Sequence, residues 1–169
     1  MESKPTPPPH LPLFGAGPAY VITITVMTTT ALALHYTDNI PYIPLQAGLH
    51  LAFQIVGGLL FLEGVALWLS AVFSSKLTKK IKEGQLITTG VYGIVRHPIY
   101  SAFMLAEWGL LIGTGNLLLL LLLPMYWVFL TLLVHETEEK WLEERFGTAY
   151  KEYCKRVHRC IPWFPKKKI

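Results

Sequence analysis

The sequence predicts an all-α integral membrane bundle of four transmembrane helices that ends in a C-terminal amphipathic helix. Three observations carry this prediction. Of the 169 residues, 52% are hydrophobic and only 15% are charged, long apolar segments follow one another, and the tail has helical periodicity. Lipid leaves the backbone of an open strand unsatisfied, so even the segments rich in Val, Ile and Thr are expected to be helical. The length fits a single domain over residues 1–169.

The four spans are placed by segment length and by turn residues. Ala19–Tyr36 and Leu49–Phe73 are long enough to cross about 30 Å of hydrocarbon at about 1.5 Å per residue. The region Pro98–Val134 is interrupted by the turn residues Gly113–Asn116, which predict two shorter helices in place of one. Three glycines of the second span favour close helix packing over ligand binding: Gly57, Gly58 and Gly64.

One alternative concerns the first span. Ala31–Leu32–Ala33 resembles a signal-peptidase site, and cleavage there would remove most of the first helix. Residues 1–16 form a Pro-rich N-terminal tail, and its Pro5–Pro9 run is a poor match to the basic start of a signal peptide. A retained first span is therefore the favoured interpretation.

Basic residues predict the orientation of the bundle. Lys and Arg concentrate between the second and third spans, from Lys76–Lys82 to Arg96, and again over Lys140–Lys168, whereas the other two connections carry none. By the positive-inside rule, the charged loop and both termini are expected in the cytoplasm. The net charge of +4 then places lysines near anionic lipid and argues against nucleic-acid binding. Cys154 and Cys160 fall on this reducing side and predict reduced thiols without a metal.

A polar segment stands immediately before the third span. Gly90–Tyr100 places Arg96, His97 and two tyrosines at the edge of an apolar stretch. Pro98 is tolerated in the first turn of a helix and keeps the preceding residue out of helical angles, so a loop is expected to feed the helix here. Ring hydroxyls, imidazole and guanidinium at this boundary indicate a polar pocket that faces a lipid-soluble reactant. The alternative is an interfacial belt of Arg and Tyr that anchors the helix.

The tail has the pattern of an amphipathic helix over Glu136–Val157. Five residues recur on one helical face: Leu142, Phe146, Tyr150, Tyr153 and Val157. At about 100° per residue, Glu139 projects into the middle of this apolar stripe and Glu138 onto its edge. An acidic residue aimed at an apolar interface must be paired or used in a site. The alternative is an interfacial helix whose glutamates cap its first turn and reach to solvent.

Together, the two segments resemble the isoprenylcysteine carboxyl methyltransferase and phospholipid methyltransferase superfamily. The resemblance runs over residues 84–165 and rests on motifs in order: Leu86–Tyr92, Arg96–Tyr100, Glu138–Leu142, Phe146–Gly147, Tyr150, Tyr153, Val157 and Ile161–Pro162. It implies a core that binds S-adenosylmethionine as methyl donor in a cytosol-facing pocket capped by the C-terminal helix. It also implies a lipophilic small-molecule or lipidated acceptor that arrives from the membrane lipids. The implied cofactor contacts are Gln85, Leu86, Ile87, Tyr92, Arg96, His97, Pro98, Ile99, Tyr100, Glu138 and Glu139.

Two features bear on the acceptor. In the carboxyl-methylating branch, the resemblance implies a substrate-binding arginine one helical turn before Glu138, where this chain has Val134; the adjacent His135 is the candidate to replace it. Glu107 lies seven residues after Tyr100, hence on the same helical face and about 10 Å deeper. An ionisable group in lipid usually faces a cavity or a partner. Glu107 is therefore a candidate catalytic residue on the substrate side, with a structural hydrogen bond within the bundle as the alternative.

Three smaller points concern single residues. Ala102 stands where the superfamily commonly has glycine, and Leu77 stands where the carboxyl-methylating branch has a cofactor-contacting glutamine. Glu63 lies within the second span and is a weaker candidate than Glu107 for a role toward the substrate.

Three functions remain open at this point. Methyl transfer to a lipophilic acceptor, either isoprenylcysteine or a lipid-like amine or thiol, is favoured, and the balance of charge points to a neutral or cationic acceptor. A NADPH-dependent membrane reductase of the sterol-reductase kind is the first alternative, because those proteins resemble this chain in a C-terminal pocket with a Tyr-, Gly- and Pro-rich tail. A non-catalytic scaffold or small transporter is the second, supported by the missing arginine and the intramembrane acids. The pattern leaves open whether oxygen, nitrogen or sulfur is methylated, and also the oligomeric state.

Overall fold

The computed structural model describes residues 15–44, 47–73 and 85–161. These ranges contain five α-helices: α1 (Gly17–Tyr36), α2 (Ala47–Val72), α3 (Pro98–Gly113), α4 (Leu122–Val134) and α5 (Lys140–Arg156). Short 3₁₀ turns cover Gly90–Gly93 and Leu119–Leu121, and a π-helical turn covers His135–Glu139. Several predicted features lie outside the described residues: most of the Pro-rich tail, the lysines of the loop after α2, Leu77, and the chain after Ile161.

Three of the helices are long and apolar enough to cross a membrane within the described ranges: Gly17–Tyr36, Gly48–Val72 and the continuous run Leu119–Arg156. The helix Pro98–Gly113 is apolar but has only 16 residues, or about 24 Å at about 1.5 Å per residue. The helix α3 begins at Pro98 and ends at Gly113, as the proline and the turn residues predict. The fold is therefore an all-helical membrane protein, with isolated bridges in place of any strand among the residues described.

The predicted tail helix over Glu136–Val157 is present as α5 (Lys140–Arg156), but it is not separated from α4. The chain runs from α4 into α5 through the π-helical turn, without a break at that point. The interruption comes later, at Gly147, whose φ of 52° and ψ of −123° leave the helical region. The π turn widens the backbone and changes the phase of the helix. The five residues of the predicted apolar stripe nevertheless pack in one cluster, with Leu86 and Cys154 at its edge.

The helices α2 and α3 approach each other at backbone distance. A Cβ atom added to Gly57 would lie 2.5 Å from the Gly109 carbonyl oxygen and 2.8 Å from the Gly113 nitrogen. A Cβ atom on Gly64 would lie 2.6 Å from the Ala102 carbonyl oxygen. Small residues that let backbones approach are a general means of helix association in lipid. Two of the three predicted packing glycines therefore lie at this contact, whereas Gly58 has no atom within 4 Å of its added Cβ.

Gly57→Ala is expected to destabilise the bundle, and Gly58→Ala is the matched control on the adjacent residue. The new methyl group at position 57 would meet backbone atoms that cannot rotate away, so the helices must separate at a cost of about 1–3 kcal/mol. Gly58 has open space, and the same change there should leave stability unchanged or slightly raised. Thermal unfolding in detergent checks both variants. Equal melting temperatures for the two alanine variants would contradict the close contact.

The main core lies between α1, α3 and α4. Its buried side chains include Tyr20, Ile24, Met104, Tyr126 and Leu130. A polar end is built beside this core, where the start of α1, the start of α3 and the π-helical turn come together. The fold therefore places the two motifs of the sequence at one end of the bundle.

Candidate active site

Backbone pairing joins the polar segment before α3 to the chain after α5. The Arg96 amide donates to the His158 carbonyl at 2.9 Å, and the His97 amide donates to the Arg159 carbonyl at 3.2 Å. Val95 and His158 form a parallel bridge at the same place. This short pairing holds the ends of α3 and α5 together and brings the two predicted motifs into contact.

Glu139 is the centre of a buried ion-pair cluster. Arg96 donates to Oε1 of Glu139 from Nε at 3.0 Å and from Nη2 at 2.7 Å. On the other oxygen, Oε2, Arg159 approaches with Nε at 2.9 Å and Nη2 at 2.7 Å. The remaining Nη1 of Arg96 donates to the carbonyls of Cys154 and Val157 at 3.2 and 3.0 Å. The side chains of Arg96 and Glu139 are only 7% and 8% exposed. Both oxygens of Glu139 are thus occupied by guanidinium groups, which fasten the tail to the segment before α3.

Glu138 has a different environment. Its Oε1 accepts hydrogen bonds from the Tyr100 hydroxyl and from the Ala16 amide, the latter at 3.2 Å. Its Oε2 lies 3.5 Å from Nδ1 of His97, and its side chain is 17% exposed. No guanidinium contacts Glu138 among the contacts of the described chain. Glu138 is therefore the more accessible member of the acidic pair, and its oxygens are not paired with a guanidinium among the described contacts.

His97 lies between the two glutamates. Its Nδ1 faces Glu138 at 3.5 Å and its Nε2 faces Glu139 at 3.4 Å. Burial alone lowers the pKa of His97, but hydrogen bonds and charge from the two carboxylates outweigh burial and raise that pKa above its ordinary value. Both ring nitrogens can donate only in the imidazolium form. The site therefore favours a charged His97, which fixes the relative orientation of the two carboxylates.

Aromatic side chains form the walls beside Glu138. The His97 and Tyr100 rings stack with centroids 5.9 Å apart and an interplanar angle of 10°. Burial, together with the charge of Glu138, raises the pKa of Tyr92 to about 12, so its hydroxyl stays protonated. The Tyr92 carbonyl accepts a 2.6 Å hydrogen bond from Tyr153 of α5. The arrangement offers one carboxylate, two phenol groups and stacked rings to a ligand that carries hydroxyls or positive charge.

The other predicted contact residues lie around this cluster. Leu86 packs against Tyr150, Tyr153 and Val157, and Ile87 beside it is half-buried, whereas Gln85 is exposed. Pro98 is buried at the first turn of α3, and Ile99 is half-buried. The structure thus brings Tyr92, Arg96, His97, Tyr100 and the two glutamates together and leaves Gln85 at the margin.

His135 is not brought into the cluster around Glu138. Its side chain is 54% exposed and lies 3.7 Å from Glu136 and 3.7 Å from Oε2 of Glu139. Val134, where the resemblance implies an arginine, is fully buried in the main core. Adjacent helical residues point about 100° apart, so position 134 lies in the core while position 135 is exposed.

Glu107 lies within α3 and is 6% exposed. Thr25 of α1 donates to its Oε1 at 2.8 Å, and Thr28 shares a 3.0 Å hydrogen bond with the Tyr126 hydroxyl of α4. This polar group lies inside the bundle. Glu63 of α2 is exposed. The structural hydrogen bond considered for Glu107 is therefore present, while Glu63 is not drawn into the bundle.

Several groups at the site have no obvious signal in the sequence. Arg159 lies in an irregular tail, and its pairing with Glu139 depends on the backbone bridge at His158. The Ala16 amide is a backbone group, although the surrounding Gly15–Pro18 segment, with glycines directly before a helix start, is typical of a close backbone approach. In the described tail, Cys154 and Cys160 form no disulfide.

Comparison with known proteins extends these observations. A protein-S-isoprenylcysteine O-methyltransferase of Schizosaccharomyces pombe is 36% identical over 89 residues, which is 52% of this chain and 37% of that protein. A methanethiol S-methyltransferase of Bradyrhizobium diazoefficiens is 36% identical over 73 residues, which is 43% of this chain and 25% of that protein. A Delta(14)-sterol reductase of Mus musculus is 40% identical over 86 residues, which is 47% of this chain and 19% of that protein. The matched segment thus covers well under half of each of these relatives, and no solved structure matches the chain.

The family model for phospholipid methyltransferases matches residues 52–149. That range is more than half of the chain and runs from α2 through α3, α4 and the π-helical turn into α5. It contains Tyr92, His97, Tyr100 and Glu138, the residues that surround the accessible carboxylate. The chain therefore belongs to the phospholipid methyltransferase family.

Proposed function

We propose that this protein transfers a methyl group from S-adenosylmethionine to a lipophilic acceptor in the membrane. The observation that carries the proposal is the accessible carboxylate of Glu138, held between Tyr100 and His97 at one end of an apolar bundle. Relatives named as O- and S-methyltransferases support the same reaction class.

The residues present fit this methyl donor. When bound, S-adenosylmethionine supplies a methyl group on a positively charged sulfur. A lone pair of the acceptor attacks the methyl carbon in line with the carbon–sulfur bond, and the sulfur leaves as the neutral thioether. Glu138 provides a carboxylate oxygen for hydroxyl or amine groups of the donor, and the rings of Tyr92 and Tyr100 provide faces that stabilise positive charge. The chain contributes binding, orientation and exclusion of water, which together supply most of the rate of such a displacement.

Ligand binding to the purified protein tests this function against its main competitor. A NADPH-dependent membrane reduction is the second candidate, favoured by the 40% identity to a sterol reductase over 47% of the chain. Isothermal calorimetry of the detergent-solubilised protein is expected to show saturable binding of S-adenosylhomocysteine and none of NADPH. The reverse pattern would replace the methyltransferase proposal by the reductase.

We propose four membrane crossings, in which the short helix α3 is the third, with both termini and the Glu138 site in the cytoplasm. The lysines placed around the second connection and after α4 support this orientation. The prediction is tested with single cysteines introduced at Lys151 and Leu117, both exposed, in a chain whose native cysteines are replaced by alanine. An impermeant thiol reagent should label position 151 only from the cytoplasmic side and position 117 only from the opposite side. Labelling of both positions from one side would contradict the proposed topology.

We propose a neutral or cationic acceptor, such as an amine or thiol on a lipophilic carrier. Val134 leaves no guanidinium to orient a carboxylate, while Glu107 supplies a carboxyl group within the bundle. A carboxyl group in a desolvated setting is suited to accept the proton that an amine or thiol loses on methylation.

Glu107→Gln is expected to lower turnover at least 10-fold and to leave the affinity for S-adenosylhomocysteine within about 2-fold, because the change touches the acceptor side alone. Glu63→Gln is the matched control on an exposed carboxyl group of α2. Rates with an amine, a thiol and acetyl-farnesylcysteine, measured side by side in detergent, check the acceptor class. Fast methylation of the prenylcysteine carboxylate by an unimpaired Glu107→Gln variant would contradict the proposal and would direct attention to His135.

A further inference from the structure

The segment that leads into α1 lies directly on the Glu138 site. The Ala16 amide donates to Oε1 of Glu138 at 3.2 Å, although the two residues are 122 positions apart in the chain. Ala16 is the residue before the first turn of α1, where amide groups have no partner within the helix. A carboxylate there is also favoured by the helix dipole. One side of the site therefore comes from a part of the chain that the family match at residues 52–149 does not include.

The two glycines on either side of Ala16 make this approach sterically possible. Gly15 has a φ of +53°, in the region that L side chains rarely adopt, and a Cβ atom there would overlap Oε1 of Glu138 and lie 3.0 Å from its Cδ. A Cβ atom on Gly17 would lie 2.7 Å from the Tyr100 hydroxyl oxygen and 2.9 Å from its Cζ. Each glycine thus lies against one member of the hydrogen-bonded Glu138–Tyr100 pair. The backbone of Gly15–Gly17 fits this pair and has no room for side chains.

The two oxygens of Glu138 have different hydrogen-bond partners. Oε1 accepts from both the Tyr100 hydroxyl and the Ala16 amide, which occupy its two lone pairs. Oε2 has only the longer 3.5 Å contact with His97 among the described groups. Two donors on one oxygen fix the rotation of the carboxylate about its terminal bond.

We propose that the Ala16 amide is a positioning group that orients Glu138 so that Oε2 faces the methyl donor. This inference rests on the proposed function and extends the site to the N-terminal end of α1. Without the amide, the carboxylate keeps the Tyr100 hydroxyl on Oε1 and the longer His97 contact on Oε2, so its orientation is less restricted and donor binding weakens. The residue acts through Glu138, and its effect must disappear when Glu138 is absent.

Ala16→Pro tests the proposal because proline replaces the amide hydrogen with a ring carbon. The φ of −82° at Ala16 is close to the value that proline adopts. Ala16→Gly keeps the amide and is the matched control. Calorimetry with S-adenosylhomocysteine is expected to give an affinity about 10-fold weaker for Ala16→Pro and unchanged for Ala16→Gly, corresponding to about 1.4 kcal/mol.

A double-mutant cycle separates positioning from a general effect on the fold. In a Glu138→Ala background, adding Ala16→Pro should cause no further loss of affinity. A second variant, Gly15→Ala, should also weaken binding in the native background. In Glu138→Ala the overlapping carboxylate is gone, so this loss should shrink to the part caused by backbone strain at the positive φ. Equal losses in both backgrounds, or native affinity for both Ala16→Pro and Gly15→Ala, would overturn the proposal.

If the unmodified protein itself binds no S-adenosylhomocysteine, the proposed function fails and this inference fails with it. A third outcome is that the native protein binds S-adenosylhomocysteine, Glu138→Ala does not, and Ala16→Pro binds with native affinity. That outcome would overturn the positioning role of the Ala16 amide and leave the proposed function standing.

Discussion

Glu139→Ala is expected to destabilise the protein by about 3–5 kcal/mol, the largest effect of any single change considered. The substitution leaves Arg96 and Arg159 facing each other without the carboxylate between them. One guanidinium is almost fully buried, so its charge cannot be solvated in place. The tail beyond α5 should then detach from the segment before α3. Thermal unfolding in detergent is expected to show a melting temperature roughly 10 °C lower.

Glu136→Ala is the control for this prediction. Glu136 carries the same charge on the same π-helical turn, but it is 56% exposed and pairs with the equally exposed Lys140. Exposed ion pairs of this kind contribute little to stability. Equal melting temperatures for Glu139→Ala and Glu136→Ala would contradict the assignment of Glu139 as a structural anchor.

Glu138→Gln should have the opposite pattern, with a large effect on binding and a small one on stability. The amide replaces a charged acceptor by a neutral one at the oxygen that remains accessible, a loss of about 1.5–3 kcal/mol in a charge-assisted hydrogen bond. The affinity for S-adenosylhomocysteine is therefore expected to fall about 10- to 100-fold. The melting temperature should change by only a few degrees, because Tyr100 and the Ala16 amide can still donate to the amide oxygen.

Calorimetry and thermal unfolding of the same preparation check this contrast between the two adjacent glutamates. Glu136→Gln again serves as the exposed control. Native affinity of Glu138→Gln for S-adenosylhomocysteine would show that the Glu138 carboxylate takes no part in binding. An unfolded Glu138→Gln protein would instead give Glu138 a structural role like that of Glu139.

Much of the architecture follows from local rules in the sequence. The start of α3 is predictable because proline stabilises a first turn and excludes helical angles before it, and His97 has φ −122° and ψ 66°. The burial of Glu139 follows from its place within the apolar stripe, since a carboxylate there must be paired. The place of Gly57 and Gly64 at the contact between α2 and α3 is predictable because small residues are preferred where helices meet in lipid.

The remaining features depend on contacts between distant parts of the chain. The π-helical turn that joins α4 to α5 has no compositional signal. Arg159 reaches Glu139 only because the tail pairs with the backbone before α3. The contact of the Ala16 amide cannot be predicted from a sequence motif, because it is made by the backbone and the side chain of Ala16 takes no part in it. Sequence periodicity therefore locates the acidic pair but does not divide it into one anchor and one accessible carboxylate.

Incubation of the purified protein with methyl-labelled S-adenosylmethionine and a total lipid extract, followed by mass spectrometry of the labelled products, is the most direct test of the central claim. Label is expected to enter a lipid-soluble amine or thiol, and Glu138→Gln is expected to slow this labelling at least 10-fold at limiting donor concentration. Absence of label from every lipid fraction, in a preparation that is folded and reduces a sterol with NADPH, would contradict methyl transfer as the function of this site.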